Sequence, residues 1–178
     1  MNPKSLNFNF SFADAKQSPE IASLVNSVYR GENAKKGWTT EAGILDGIRI
    51  SKEKVREIIE SENNVIFLAS LNDKIIACVH LEKKGDICWL GMLSVDVDFQ
   101  TFGLGKMMIE KCEVFAKETF KCSVMKLKVI GIRWELIEYY KRREYKLTGE
   151  REDFLTAEDT FGDPKTENLY FEVFSKNL

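Results

Sequence analysis

The sequence predicts one α/β (α+β) domain, and three observations carry that prediction. Phe8, Phe10 and Phe12 alternate with polar residues, the period of a half-buried strand. Three apolar runs, "VIFLASL", "IIACVHL" and "ICWLGMLSV", follow one another through short turns, as in an antiparallel meander. Directly after them "FGLG" opens a long series of apolar residues at spacings of three and four, the mark of an amphipathic helix. The 178 residues suit a single domain, 1–178, with a sizeable core.

The elements follow in chain order. The first strand lies in "NFNFSFADA". Ser18 is expected to cap a first helix, with Pro19 in its first turn, Glu20 at its positive end, and Ile21, Leu24, Val25 and Val28 as its apolar stripe. Gly31 is expected to end it. The segment "GENAKKGWTTEAGILDG" holds four glycines and predicts irregular chain. Ser51 caps a second helix built on Val55, Ile58 and Ile59, and Asn63-Asn64 breaks it. The meander then turns at Asn72-Asp73 and again over 83–86. The long helix carries Leu104, Met107, Met108, Cys112, Phe115, Ala116 and Thr119 on one face and charged residues on the other. "SVMKLKVI" is a strand, "WELIEYYKRR" a short helix, and "EYKLTGE" and "NLYFEVF" two final strands. The polar stretch "REDFLTAEDTFGDPKT" between those strands predicts a loop. The resulting order is β-α-α-β-β-β-α-β-α-β-β, without repeat or linker.

Composition removes several classes of function. The 26 basic and 28 acidic residues give a net charge of -2, which argues against nucleic acid held by bulk charge. No run approaches the roughly 18 apolar residues of a membrane span. The N-terminus lacks the continuous apolar core of a signal peptide, so a cytoplasmic protein without membrane association is expected. Cys78, Cys88, Cys112 and Cys122 lie far apart in apolar segments, the pattern of buried, reduced thiols. His80 is the single histidine and no Cys-x-x-Cys is present, so no metal site is expected. A serine–histidine triad would need His80, and no Gly-x-Ser-x-Gly accompanies it. Its place in "IIACVHLE" predicts a hydrogen-bonded strand histidine.

The glycine turn "QTFGLGK" has chemistry of its own. A strand that feeds a helix through glycines leaves first-turn N–H groups without intrahelical partners, beside the positive end of the helix dipole. Glycine lets phosphate oxygens approach that backbone. The Walker loop does not fit, because Met107 follows Lys106 where a Ser or Thr is required. The dinucleotide fingerprint does not fit either, because Met108 takes the place of the third glycine. Taken alone the turn is equally a helix start.

The longer segment "LSVDVDFQTFGLGKMMIEKCEVFAK" resembles the acetyl-CoA-binding motif of the GNAT superfamily of N-acetyltransferases, Gln/Arg-x-x-Gly-x-Gly/Ala, here Gln100, Gly103 and Gly105. A proline is common in the family at the place of Val97. "RWELIEYYKRREY" resembles the family's late helix with its aromatic pair. Glu144 stands where a glycine is usual, and Arg133 where an asparagine is common. "IASLVNSVYRGE" and "YFEVFSK" are similar to the first helix and last strand, so the resemblance spans nearly the whole chain.

What the resemblance implies is concrete. The fold would be a mixed, mostly antiparallel central sheet flanked by helices, splayed between the fourth strand, ending near Val95, and the fifth, Ser123 to Ile130. The donor would be acetyl-CoA. Its pyrophosphate would rest on the amides of Gln100, Thr101, Phe102, Gly103, Leu104, Gly105 and Lys106. Its pantetheine arm would pair with Leu93, Ser94 and Val95 like an added strand, next to a bulge marked by Gly91. An N–H near Leu93 would stabilise the developing oxyanion, and Tyr140 would protonate the leaving thiolate. Tyr139 beside it is expected to pack. No residue stands out as the base: relatives use a glutamate on the fifth strand, where this chain has Lys126 and Lys128.

The acceptor region is expected in "GWTTEAGILDG", with Trp38, Thr39 and Glu41 as a wall and a carboxylate for an amine. A capped helix start, with Thr39 or Thr40 as the cap, is the other reading of those residues. The implied partner is a small-molecule or peptide amine, and the implied state a monomer or homodimer. Two other functions compete: an acyl-CoA-binding sensor without turnover, and a nucleotide-binding regulatory domain.

Overall fold

In the computed structural model, which describes residues 7–155 and 162–178, the chain forms β1 (Asn9–Phe12), α1 (Ser18–Tyr29), α2 (Gly31–Ala34), β2 (Leu45–Asp46), α3 (Lys52–Glu60), β3 (Asn64–Leu71), β4 (Lys74–Lys84) and β5 (Ile87–Val95). It continues through α4 (Leu104–Glu118), β6 (Val124–Ile130), α5 (Trp134–Lys141), β7 (Lys146–Asp153), β8 (Asp163–Pro164) and β9 (Tyr170–Asn177). Residues 156–161 of the expected polar loop lie outside the described residues. One sheet holds seven strands in the order β1-β3-β4-β5-β6-β9-β7, and β2 pairs with β8 apart from it. Only the β5–β6 pairing is parallel in that sheet; its other neighbours run antiparallel. The mixed, mostly antiparallel architecture expected from the sequence is therefore present.

Local chemistry explains the turns. Asn72 and Asp73 take φ of 50° and 64°, the two left-handed residues of a tight hairpin turn. The second turn is shorter than expected: Lys83 and Lys84 still pair with Cys88 and Ile87, and only Gly85-Asp86 turns the chain. The cap of α1 is not Ser18. Asp14 accepts the Lys16 N–H at 2.8 Å, and Gln17 accepts the Asp14 N–H at 2.8 Å, a capping box on a short 3₁₀ turn that leads into α1. Ser18 instead donates its hydroxyl to the Ala15 carbonyl. α1 ends at Tyr29, and Gly31, at φ 73°, opens the short α2 rather than closing α1 directly. Ser51 does cap α3, accepting from the Lys54 N–H at 3.1 Å. His80 bonds Asn64 Oδ1 at 2.7 Å on the sheet.

Strand alternation divides the core between two faces. Ile66, Leu68 and Cys78 pack with α1 and α3, around Ile21, Val25, Val28 and Val55. Ala69, Ala77 and Val79 face the other way, onto Leu104, Met108, Ile109 and Cys112 of α4. Ile109, outside the expected stripe, is buried there as well. The four cysteines are free and buried. Burial pushes the Cys78 and Cys88 thiols up to about 12 and raises those of Cys112 and Cys122 as well. Among the described residues no helix is long and apolar enough to cross a membrane, and no three His, Cys, Asp or Glu side chains cluster to hold a metal.

β5 breaks this alternation in a way that builds the site. Leu90 belongs to the α4 side, yet Met92, two residues on, belongs to the α1 side. The register slips between Cys78↔Ser94 and His80↔Gly91, so Met92 and Leu93 together face Val79 as a bulge, with Met92 at φ 54°. After the slip Leu93 and Val95 lie on the α4 side. Parallel pairing of β5 with β6 runs from Ile87↔Val124 to Leu90↔Leu127. β5 itself continues to Val95, and β6 to Ile130, beyond the last of those pairs.

Glu144 stands where the resemblance places a glycine, and it adopts φ 68°. The left-handed turn is kept at an L-residue's steric cost of about 1–2 kcal/mol. Glu144→Gly is expected to raise stability by about 1 kcal/mol, after allowing for glycine's larger unfolded-state entropy. The check is a higher denaturant midpoint at unchanged slope; a lower midpoint would contradict it.

Candidate active site

Between β5 and α4 the chain makes a 3₁₀ turn, Val97–Phe102, capped by Asp96, whose carboxylate accepts the Asp98 N–H at 3.2 Å. Gly103 then takes φ 75°, a conformation glycine adopts without a Cβ penalty. The Met107 N–H bonds the Gly103 carbonyl at 3.2 Å, so the amides of Leu104, Gly105 and Lys106 stand ahead of the first helical bond. With the dipole of a helix spanning Leu104–Glu118, they form an electropositive end suited to an anion.

These residues open onto a cavity of about 230 Å³. Leu93, Val95, Gln100, Thr101, Gly103, Gly105 and Lys106, all expected at the cofactor, line it. Three others do not. Leu104 is fully buried in the core, Phe102 packs on Phe99 with ring centroids 6.0 Å apart, and Ser94 is buried with its hydroxyl donating to the Met92 carbonyl at 3.1 Å. The bulge is the reason for the strand pattern: it puts Leu93 and Val95 on the cavity side and leaves Ser94 out of the lining.

A second part of the wall is one side of α5 with the residues that flank it. Arg133, Leu136, Tyr139, Tyr140 and Arg143 recur at three and four and all line the cavity. Tyr140 is buried, and burial pushes its phenol above the ordinary tyrosine range. Tyr139 packs between the segment around Trp38 and the helix end. Its ring lies 5.1 Å from that of Trp38, and its hydroxyl is 2.9 Å from where a Cβ on Gly105 would sit. Tyr29, which the sequence did not single out, donates its hydroxyl to the Leu93 carbonyl at 2.8 Å; burial pushes this phenol up to about 12.

Trp38 and Thr39 also line the cavity, clasped by Gln100. The Gln100 side chain accepts the Trp38 N–H at 3.2 Å and donates to Thr39 Oγ1 at 3.2 Å and to the Val95 carbonyl at 3.1 Å. Its amide therefore ties the segment around Trp38 to the end of β5. A Cβ on Gly37 would stand 2.8 Å from Gln100 Oε1, so a side chain there would displace the Gln100 amide from these bonds. Glu41 is not in the lining. It is buried between Arg30 and Arg133, with Arg133 Nη1 at 3.0 Å, and Arg133 also donates to the Thr39 carbonyl. Instead of offering a carboxylate to an amine, Glu41 neutralises guanidinium charge and fixes the chain behind Trp38 and Thr39. Among the described residues the lining carries Lys106, Arg133 and Arg143 and no carboxylate, an electrostatic match for a polyanion.

The family model described as the Acetyltransferase (GNAT) family matches residues 28–145. The chain belongs to this GNAT family. No curated protein matches the chain in sequence. Solved GNAT-type structures share its fold at low identity. The ribosomal-protein-S18-alanine N-acetyltransferase from Escherichia coli is similar at 13% identity and TM-score 0.71, covering 96% of this chain and 94% of that one. An N-acetyltransferase from Staphylococcus aureus Mu50 is similar at 10% identity and TM-score 0.71, with 96% and 97% covered. The spermidine/spermine N-acetyltransferase from Vibrio cholerae is similar at 10% and TM-score 0.64, with 96% and 95% covered. The GNAT family uses acetyl-CoA as its acyl donor. The cavity residues suit that donor: bare glycines on a helix end, three cations, and Leu93 and Val95 on a strand that outruns its parallel pairing.

Proposed function

We propose that the protein is an acetyl-CoA-dependent N-acetyltransferase that acetylates a primary amine by direct attack within a ternary complex. One observation carries this reading. The glycine-turn amides, the bulged end of β5 and Tyr140 converge on one cation-lined cavity.

Acetyl-CoA supplies an activated thioester when bound. The protein's own groups would do the following. The backbone from Gln100 to Lys106 holds the pyrophosphate, and Leu93–Val95 hold the pantetheine arm. The backbone near Leu93 presents an N–H to the carbonyl oxygen as negative charge develops. Tyr140 keeps its proton, because burial raises its phenol, and gives it to the departing sulfur as the C–S bond breaks; the proton that the attacking nitrogen sheds on becoming an amide restores the phenol. Trp38 and Thr39 border the acceptor, and Glu41 holds their segment in place through Arg133. Binding both partners supplies proximity, the largest contribution asked of the site. The acceptor is a small-molecule or peptide amine, and the protein acts in the cytoplasm as a monomer or homodimer. The names of the structural relatives specify acceptors as different as a protein alanine and polyamines, so the shared fold leaves the choice to the acceptor wall.

A second reading, an acyl-CoA-binding sensor without turnover, draws on one observation: among the described residues the lining holds no carboxylate base, and Glu41 is locked between two arginines. Release of CoA thiol over a panel of amines separates the two. Amine-dependent release is expected with at least one amine. CoA binding without release from any amine would favour the sensor.

A further inference from the structure

The geometry points to Arg143 as a second arm of the donor site, gripping the pyrophosphate of CoA from the α5 wall of the cavity that the glycine-turn amides also border. This rests on the reading of the cavity as a CoA site. Four observations lead to it. Arg143 lines the cavity together with Gly103, Gly105 and Lys106. Its guanidinium carbon lies 3.3 Å from the centroid of the Tyr139 ring, and its Nη1 donates to the Tyr139 carbonyl at 2.7 Å. Its Nε is buried and, among the described residues, has no hydrogen-bond partner. Tyr139 itself reaches to within 2.9 Å of the Cβ position of Gly105, at the helix end.

Together these describe a guanidinium held flat by stacking and one backbone bond, with a buried N–H still without an acceptor. Such a plane recognises an oxyanion through paired N–H donors, as a flexible ammonium cannot. Among the described residues Arg143 makes no ion pair, whereas Lys106 has Glu110 3.6 Å away and Arg133 has Glu41 3.0 Å away. Of the three cations in the lining, Arg143 alone meets an incoming anion with its charge uncompensated. The pyrophosphate is the assigned partner because the helix-end amides that border the same cavity suit the same group. The 3′-phosphate of CoA has the same chemistry and is separated in the test.

Arg143→Gln is compared with the unaltered protein in titrations with CoA, dephospho-CoA and pantetheine, by calorimetry for the first two and by nuclear magnetic resonance for the third. Affinity for CoA and for dephospho-CoA is expected to fall equally, by about tenfold or more, the scale of a lost charge-assisted contact. Affinity for pantetheine, which has no phosphate, is expected to stay within about twofold. Arg143→Lys is expected to recover only part of the loss, since it keeps charge without the stacked plane. A loss that spares dephospho-CoA would move the contact to the 3′-phosphate and overturn the assignment. An equal loss for pantetheine would make Arg143 a support for Tyr139 and overturn it too, as would unchanged CoA affinity. If the unaltered protein fails to bind CoA, the cofactor reading fails first, and with it this one.

Discussion

Gly105→Leu is expected to abolish measurable CoA binding while the protein stays folded. The position explains both halves. A Cβ there would meet the Tyr139 hydroxyl at 2.9 Å and Val95 Cγ2 at 3.7 Å, and the remaining atoms of a leucine would extend into the donor cavity. The fold does not depend on the missing side chain, since Gly105 lies within α4 and leucine favours a helix over glycine by about 0.5–1 kcal/mol. Calorimetric titration should show affinity lowered by at least about a hundredfold, equivalent to roughly 3 kcal/mol. Circular dichroism should be unchanged. Gly103→Leu tests the neighbouring position differently. Nothing lies within 4 Å of its Cβ position, so the steric charge falls on φ 75° and on whatever enters the cavity. Normal CoA affinity in both variants would return the loop to being a helix start.

Tyr140→Phe should lower turnover by roughly a hundredfold to ten-thousandfold, the usual range for a lost general acid. CoA affinity should change by less than about twofold, because the ring that packs in the core is retained. The pH dependence carries a second signature. An acid works while protonated, and burial raises the Tyr140 phenol above its ordinary range. The rate should therefore rise with pH as the acceptor amine loses its proton, and show no alkaline decline around the ordinary tyrosine value of about 10. Turnover unaltered in the variant would remove Tyr140 from the proton-transfer step, and a decline centred at about 10 would contradict the raised phenol.

The sequence made the framework readable where its signals were periodic. The meander follows from alternation together with Asn72-Asp73 and Gly85, and α4 from its apolar stripe. It was silent where structure is set by a single backbone reversal or by two residues. β2 and β8, Leu45–Asp46 and Asp163–Pro164, are too short to hold a period. The bulge lies at Met92–Leu93, next to the glycine that hinted at it, and only the φ of Met92 shows which side chains change face. The site was legible in the same uneven way. The glycine turn stands out in the residues themselves, whereas Tyr140 is singled out only through the family resemblance. Spacing could not show that Glu41 turns inward to two arginines, because neighbouring residues in a sequence carry no direction. The α5 wall could have been found: Arg133, Leu136, Tyr140 and Arg143 recur at three and four, and only the aromatic pair was singled out.

The buried cysteines have a practical consequence. A chromogenic disulfide reagent reports only thiolates it can reach, and none of the four protein thiols is both exposed and easily ionised. Colour appearing in an assay with acetyl-CoA and an amine would therefore come from released CoA rather than from the protein. Each variant above can be followed continuously in its native thiol state, without blocking or replacing a single cysteine.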